Sequence, residues 1–335
     1  EEGFQLKNNL SSFLMVDSGS NALLLAVSLL NLPPKSEIIL PSYTWVSCAN
    51  SIVLAGHKPI FCDVDDSSMN VTKELIEAKM TDKTAAIMIV HYAGLPVEMD
   101  EIISLGLPII EDAAHAVCST YKGRPCGNIS DVGIFSFDSV KNLAAGEGGG
   151  ISTRDGNLIE EAKKLRYCGI EKSGFQNATD DTKLSELWWE YQIAKPFIKM
   201  LPNNVSASIA LAQLDKIDQL QARRETIWNF YQSEFTNNPN IITPQDARDG
   251  EKHSYFTYCI KVNKRNELAR YLLEKNIYTT LRYHPLHLYP IYNQDNIKLT
   301  NTEILNKTAL NIPLHPRLSD DDISYVVSAI KNFFK

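Results

Sequence analysis

No Lys/Arg run in this 335-residue chain exceeds two residues, and the formal net charge is −7. A surface that holds nucleic-acid or anionic-lipid phosphates needs clustered positive charge. The sequence therefore argues against a nucleic-acid polymer and an acidic membrane as partners, while leaving room for a local site for one small anion. No apolar run approaches the roughly 18 residues needed to cross a bilayer, and no secretory leader is visible. The opening Glu1-Glu2-Gly3-Phe4 reads as the middle of a helix, so the chain is expected to be trimmed at its N-terminus. No Cys-x-x-Cys pair occurs among Cys48, Cys62, Cys118, Cys126, Cys168 and Cys259. Their spacings fit neither a zinc site nor a disulfide framework, and no metal is expected. Buried, reduced thiols imply a reducing, cytoplasmic compartment. Internal repeats and low-complexity segments are missing too.

What is present is ordinary globular material: 44% hydrophobic and 22% charged residues, enough for a sizeable core. The length suits a large domain with a smaller companion. In the first half, Ile38-Ile39-Leu40, Pro59 to Cys62, Ala85 to Val90, Leu107 to Ile110 and Val132 to Phe137 read as buried strands, too short and too β-branched or aromatic for helices. Amphipathic stretches alternate with them, at Asn21 to Leu30, Trp45 to Ala55 and Val71 to Met80. The alternation predicts βαβ units: an α/β fold with a mostly parallel sheet flanked by helices. In such sheets ligands gather beyond the carboxyl ends of the strands. Polar groups stand at those exits: Ser42 to Trp45, His91-Tyr92, Glu111-Asp112 and Asp138 to Lys141.

Residues 157–232 read as mainly helical, with long periodic positions from Asn203 to Phe235. After about residue 236 the texture changes. A strand is expected from Tyr255 to Val262, a helix from Arg265 to Lys275 and a strand from Ile277 to Leu281. A terminal helix from Ser319 to Phe334 carries Ser319 as N-cap and Asp322 at its third position. The expected division is a large α/β domain over 1–235 and a small α+β domain over 236–335.

Several motifs carry chemistry. Lys141 stands after a strand and before Ala-Ala-Gly-Glu-Gly-Gly-Gly150. There it could approach a cofactor and form an imine, or be a surface lysine beside a turn. Asp112, directly after a strand, suits a pyridinium nitrogen and equally a helix N-cap. If a helix begins at Asp112, His115 faces the same side, as a ring contact or a satisfied core histidine. Asp17-Ser18-Gly19-Ser20-Asn21 opens a helix whose amides form a phosphate cup, with Ser20 and Asn21 as added donors, or is a plain capped helix. Trp45 could stack on a cofactor ring or belong to the core.

In this order the motifs resemble the DegT/DnrJ/EryC1 family of pyridoxal-phosphate (PLP) dependent sugar aminotransferases, of the fold-type-I aspartate aminotransferase superfamily. The match runs through Ser18-Gly-Ser20, Pro41-Ser-Tyr-Thr-Trp45, His91-Tyr-Ala-Gly94, Glu111-Asp-Ala-Ala-His115, Phe135-Ser-Phe137, Lys141-Asn142, Ala212-Gln-Leu214, Pro285-Leu-His-Leu288 and Leu314-His-Pro316. The nearest branch is the one that aminates 4-keto sugar nucleotides, including the 4-amino-arabinose type. The resemblance implies transfer of an amino group from an amino acid, L-glutamate, to a keto-sugar nucleotide. The product would be an amino sugar of surface polysaccharide, lipopolysaccharide or glycoconjugate. Lys141 would hold PLP and shuttle the proton. Asp112 would pair with the ring nitrogen, His115 and Trp45 would flank the ring, and Ser20, Asn21 and Ser136 would bind the phosphate. A homodimer with shared sites is implied, in which Lys199 takes the place of the family's usual asparagine toward the neighbouring subunit's phosphate. His284, His287, Tyr283 and His315 are candidate sugar contacts or structural packing of the small domain, and 176–189 is an insert-like stretch. A sugar dehydratase of the same family would carry histidine in place of Lys141. A non-catalytic sensor on this fold would not need Lys141 and Asp112, and a cysteine desulfurase would need a cysteine in a mobile glycine-rich loop.

Overall fold

The computed structural model describes residues 1–171, 189–292 and 297–335. Its centre is a seven-stranded sheet of spatial order β1-β9-β8-β5-β4-β2-β3. In chain order these are β1 (Leu14–Val16), β2 (Glu37–Pro41), β3 (Lys58–Cys62), β4 (Thr84–Val90) and β5 (Ile109–Asp112). A separate hairpin of β6 (Thr120–Tyr121) and β7 (Arg124–Pro125) precedes β8 (Val132–Ser136) and β9 (Gly149–Ser152). Strands β3, β2, β4, β5 and β8 pair in parallel. Strand β9 runs antiparallel to both its neighbours, β8 and β1.

The middles of the parallel strands are apolar because both faces are covered. Side chains alternate between the faces. Ile39, Ile87 and Ile89 join one core, while Ile38, Leu40, Ala86, Met88 and Val90 join the other. Helix α1 (Glu2–Lys7) lies on the first face through Phe4. Helices α2 (Gly19–Leu29) and α3 (Val46–Leu54) cover the second. A third core gathers Trp228, Tyr231 and Phe235 of helix Ile217–Phe235 against β10 (Tyr258–Lys261), β11 (Ala309–Ile312) and helix Asp320–Phe333.

Differences from the sequence reading have local causes. The strand at Leu107 to Ile110 begins two residues later, at Ile109, because Gly106 turns the chain with φ +72°. Ile277 to Leu281 makes a single bridge, Thr280 to Asn311, and is not a strand. Asn203 to Phe235 is two helices, Asn204–Leu214 and Ile217–Phe235. Strand β1 was not foreseen, being three residues in a phenylalanine-flanked run, and neither was β9, which is half glycine. The expected capping box of Ser319 and Asp322 is formed. Of the insert-like stretch, 176–188 lies outside the described residues; Trp189 at its end is exposed.

Candidate active site

A cavity of about 480 Å³ opens where the carboxyl ends of β2, β4, β5 and β8 meet the start of α2. That is where a parallel sheet collects its ligand-facing residues. Ser20, Trp45, Asp112, His115, Ser136 and Lys141 all line it.

The last two residues of β5 point to opposite faces of the sheet, and their tasks diverge accordingly. Glu111 is fully buried beneath a loop. It accepts the N–H groups of Gly127 and Ile129, each at 2.7 Å, and meets His91 Nε2 at 3.2 Å. Burial works to raise its pKa, but His91 and the backbone donors of Ser130 and Gly127 hold it below the ordinary value. Glu111 ties the 127–130 turn to the sheet. Asp112 faces the cavity. Its Oδ1 accepts the Ala114 N–H at 2.9 Å and its Oδ2 accepts the Cys48 thiol at 3.1 Å. The chain beyond Asp112 is a turn rather than a helix, so Asp112 caps no helix here. Burial, reinforced by the Asp112 charge, pushes the Cys48 thiol well up. The group therefore stays protonated and donates.

Lys141 follows β8. Its N–H returns to the Asp138 carbonyl at 2.9 Å, and Asn142 anchors the next residue by donating to the Ser254 carbonyl at 2.7 Å. Burial lowers the Lys141 pKa to about 8, with Asp112 opposing and Arg282 reinforcing the fall. The glycine run behind it serves packing more than ligand approach. A Cβ on Gly149 would lie 2.4 Å from the Ser18 carbonyl, and one on Gly150 would lie 2.2 Å from the Phe13 ring. Only glycine lets β9 pass the start of α2 that closely.

His115 donates or accepts at Nε2 with Tyr283 Oη, 2.9 Å away, and its ring stacks on Phe256 at 4.0 Å. Its buried Nδ1 has no partner among the described residues. Burial, then the charges of Lys141 and Arg282, hold its pKa well below the usual value. Trp45 remains 55% exposed, its ring 5.7 Å from that of Tyr283.

At the start of α2, Ser18 is the N-cap and accepts the Asn21 N–H at 3.2 Å. Ser20 Oγ pairs with Ser47 Oγ at 2.7 Å. Gly19 approaches Ser136 so tightly that a Cβ would come within 2.7 Å of the serine Cβ. Asn21, in contrast, does not line the cavity. Its amide donates to Asp17 at 2.8 Å, one helical turn back, so it braces the cup from below.

The remaining sequence candidates fall elsewhere. Lys199 lies outside this cavity, bridged to Tyr167 at the end of a helix, and is exposed. His284 is exposed and meets the Tyr289 ring edge-on at 5.0 Å. His287 is buried; its Nδ1 lies 2.7 Å from Ser42 Oγ, which clips the 285–288 turn to the end of β2. His315 lines a second, neighbouring cavity. Tyr283, grouped with these histidines as a sugar contact, lines the cavity, and residues the sequence did not disclose complete it: Arg282 lines it, Phe256 carries His115, and Cys48 braces Asp112. Only the i, i+4 spacing of Thr44 and Cys48 hinted at any of them; Thr44 Oγ1 lies 3.3 Å from the Cys48 sulfur.

These groups fit PLP. A carboxylate supported on both oxygens suits a protonated ring nitrogen, an amine of lowered pKa suits an imine, and the orphaned His115 Nδ1 awaits a polar partner. The model of the DegT/DnrJ/EryC1/StrS aminotransferase family matches residues 1–331. The chain belongs to that family. It is 35% identical over 93% of its length, and 82% of the relative's, to dTDP-4-dehydro-2,3,6-trideoxy-D-glucose 4-aminotransferase of Saccharopolyspora spinosa. It is 34% identical over 96% of its length, and 85% of the relative's, to spore coat polysaccharide biosynthesis protein SpsC of Bacillus subtilis (strain 168). Among solved structures, the aminotransferase TlmJ of Streptoalloteichus hindustanus superposes with a TM-score of 0.91 at 32% identity, covering 99% of this chain and 88% of that one. The putative sugar aminotransferase Spr1654 of Streptococcus pneumoniae, in its PMP-form, superposes with a TM-score of 0.90 at 26% identity, covering 99% and 90%. This DegT/DnrJ/EryC1/StrS member is thus a PLP-dependent sugar aminotransferase on a fold-type-I scaffold. Among the described residues no helix is long and apolar enough to cross a membrane, and no group of three or more His, Cys, Asp or Glu side chains could hold a metal ion.

Proposed function

We propose that this aminotransferase moves an amino group from L-glutamate to the keto carbon of a sugar nucleotide, with Lys141 as the PLP lysine and Asp112 as the partner of the ring nitrogen. The observation that carries the reading is that the Lys141 amine and the Asp112 carboxylate, from separate strand exits, line one cavity. When bound, PLP supplies the electron sink that stabilises negative charge at the reacting carbon. Lys141 moves the proton between that carbon and C4′ of the cofactor, positioned acid–base catalysis being worth about 10² to 10⁴-fold. Asp112 keeps the ring nitrogen protonated, while His115 and Trp45 flank the ring. Ser20, Ser136 and the first amides of α2 bind the phosphate at the positive end of a helix dipole. Asn21 acts through Asp17 rather than by direct contact.

The same reading includes a homodimer. Helix Asn204–Leu214 leaves Val205, Ile209 and Leu211 exposed, and Ile198 and Leu201 just before it in the chain are exposed too. Such a surface suits a second copy of the chain, and exposed Lys199 beside it would reach the partner's phosphate site. The third core supports a small C-terminal unit, to which the end of helix Ile217–Phe235 contributes. Six free cysteines support a reducing compartment, the cytoplasm.

The test is spectroscopic. Protein reconstituted with PLP should bind the chromophore, change its spectrum on addition of L-glutamate, and recover it on addition of a keto-sugar nucleotide, with the amino sugar seen by mass analysis. Lys141→Ala should abolish the cycle. A protein that never acquires a bound chromophore would overturn the reading.

A further inference from the structure

His115 stands in the wall of the PLP cavity with one polar atom unaccounted for. We propose that Tyr283 is a positioning residue for it. The Tyr283 hydroxyl donates to His115 Nε2 and so fixes the neutral ring with its proton on Nδ1, and that N–H is the donor for the phenolic oxygen of bound PLP. This rests on the aminotransferase reading and adds what tunes the cofactor at a group Asp112 does not serve.

The first support is the direction of the hydrogen bond. His115 Nε2 and Tyr283 Oη lie 2.9 Å apart, and both side chains are buried. Either the phenol donates to Nε2, or an Nε2–H donates to the phenol. Among the described residues the Tyr283 hydroxyl has no acceptor other than His115. Were Nε2 the donor, the phenolic proton would be buried and unpaired, a costly state. Arg282 decides the same way. Burial raises the Tyr283 pKa, while the Arg282 charge and a hydrogen bond from its guanidinium work against that rise. A guanidinium can only donate. The phenol oxygen therefore accepts from Arg282 and keeps its own proton for His115. The second support is rigidity. The Arg282 N–H donates to Asn311 Oδ1 at 2.9 Å, and its carbonyl accepts the Tyr92 hydroxyl, so the backbone that carries Tyr283 is pinned on both sides. Phe256 stacks on the imidazole at 4.0 Å and 15°, and turning the ring would forfeit that contact. With its plane held, the tautomer is the freedom left to His115, and Tyr283 removes it.

The third support is the atom left over. His115 is only 4% exposed, lines the cavity with Asp112, Ser136 and Lys141, and its Nδ1 has no partner among the described residues. Burial, then the Lys141 and Arg282 charges, keep the ring neutral, so one nitrogen alone carries a proton. A buried donor of this kind calls for an acceptor, and in a ligand cavity the ligand supplies it. On PLP the ring nitrogen belongs to Asp112 and the phosphate to the start of α2, which leaves the phenolic oxygen. A donor there favours the oxygen's negative charge.

The test reads the histidine directly. In cofactor-free protein carrying isotope-labelled histidine, proton–nitrogen correlation NMR reports which ring nitrogen holds the proton, and His115→Phe identifies the signal. The wild-type ring should be the Nδ1–H tautomer, and Tyr283→Phe should release it to Nε2–H or a mixture. In PLP-loaded protein, Tyr283→Phe should raise the midpoint of the absorbance–pH titration of the bound cofactor by about 1 unit, the worth of one hydrogen bond to a charged oxygen. His115→Phe should raise it at least as far. Adding Tyr283→Phe to that variant should raise it no further, because the tyrosine acts through the histidine. Lys141, Arg282, Asp112 and Cys48, the titratable groups facing the pair, stay in place in both variants. An Nε2–H tautomer in the wild type overturns the proposal, whatever the variants do. So does a tautomer or a midpoint unmoved by Tyr283→Phe, or an equal further shift in the His115→Phe background. Failure to take up PLP sinks the aminotransferase reading instead, and the tautomer, read without cofactor, still judges Tyr283.

Discussion

Replacing Lys141 by methionine should make the cofactor-free protein more stable at neutral pH. The amine sits where burial disfavours its charge, and Asp112 only partly compensates, so its pKa falls from 10.5 to about 8. At about 1.36 kcal/mol per pH unit, that fall corresponds to about 3 kcal/mol of destabilisation by the protonated amine. The side chain keeps some solvent contact, which screens the effect, so the expected gain for Lys141→Met is about 1–3 kcal/mol. Below about pH 8 the amine is protonated in both folded and unfolded chains, and the folded state carries the whole penalty. Between pH 8 and 10.5 the unfolded chain still holds the proton while the folded one releases it, and the penalty fades. Above 10.5 both forms are neutral and none remains. The assay is denaturant unfolding of wild type and variant, both stripped of PLP, from pH 7 to 11. The variant should lead at pH 7 and lose its lead as pH rises through that window. A variant less stable at pH 7, or a difference that does not change with pH, would refute the account of Lys141 as a destabilised, chemically poised amine.

Asp112→Asn should weaken PLP retention by about 10² to 10³-fold, the loss expected on removing one member of a buried ion pair; equilibrium dialysis followed by absorbance checks it. Cys48→Ala leaves Asp112 Oδ2 without its thiol donor and should lower the stability of the cofactor-free protein by about 1–3 kcal/mol, read from denaturant midpoints. Gly127→Ala would force a Cβ to 2.5 Å from Phe135 Cζ at a backbone φ of +84°. Its thermal midpoint should drop by the equivalent of about 2 kcal/mol or more, and an unchanged midpoint would show that the 127–130 turn yields.

How far the site could be read in advance depended on how local each residue's job is. Asp112 and Lys141 were legible because each stands at the end of an apolar strand, and a strand exit in a parallel sheet points at the ligand whatever the rest of the chain does. Ser20 and Asn21 looked equivalent as neighbouring donors on one helix start. One helical step rotates the side chain by about 100°, and that step sent Ser20 to the cavity and Asn21 to Asp17. The histidines of the small unit were grouped by residue type, and packing dispersed them. His287 went to the Ser42 clip, His284 to the surface and His315 to the second hollow.

By itself, then, the chain's pattern determined the α/β scaffold and the motif order, because strand burial and strand-exit chemistry depend on residues close in sequence. Tertiary structure alone placed Arg282 and Tyr283 in one cavity with Lys141, put Cys48 against Asp112, and buried Arg224 among the carbonyls of Tyr255, Phe256 and Leu314. Those juxtapositions join segments from 31 to 142 residues apart in the sequence. Loop closure and packing across the sheet create them, and no local periodicity records where two distant surfaces will meet.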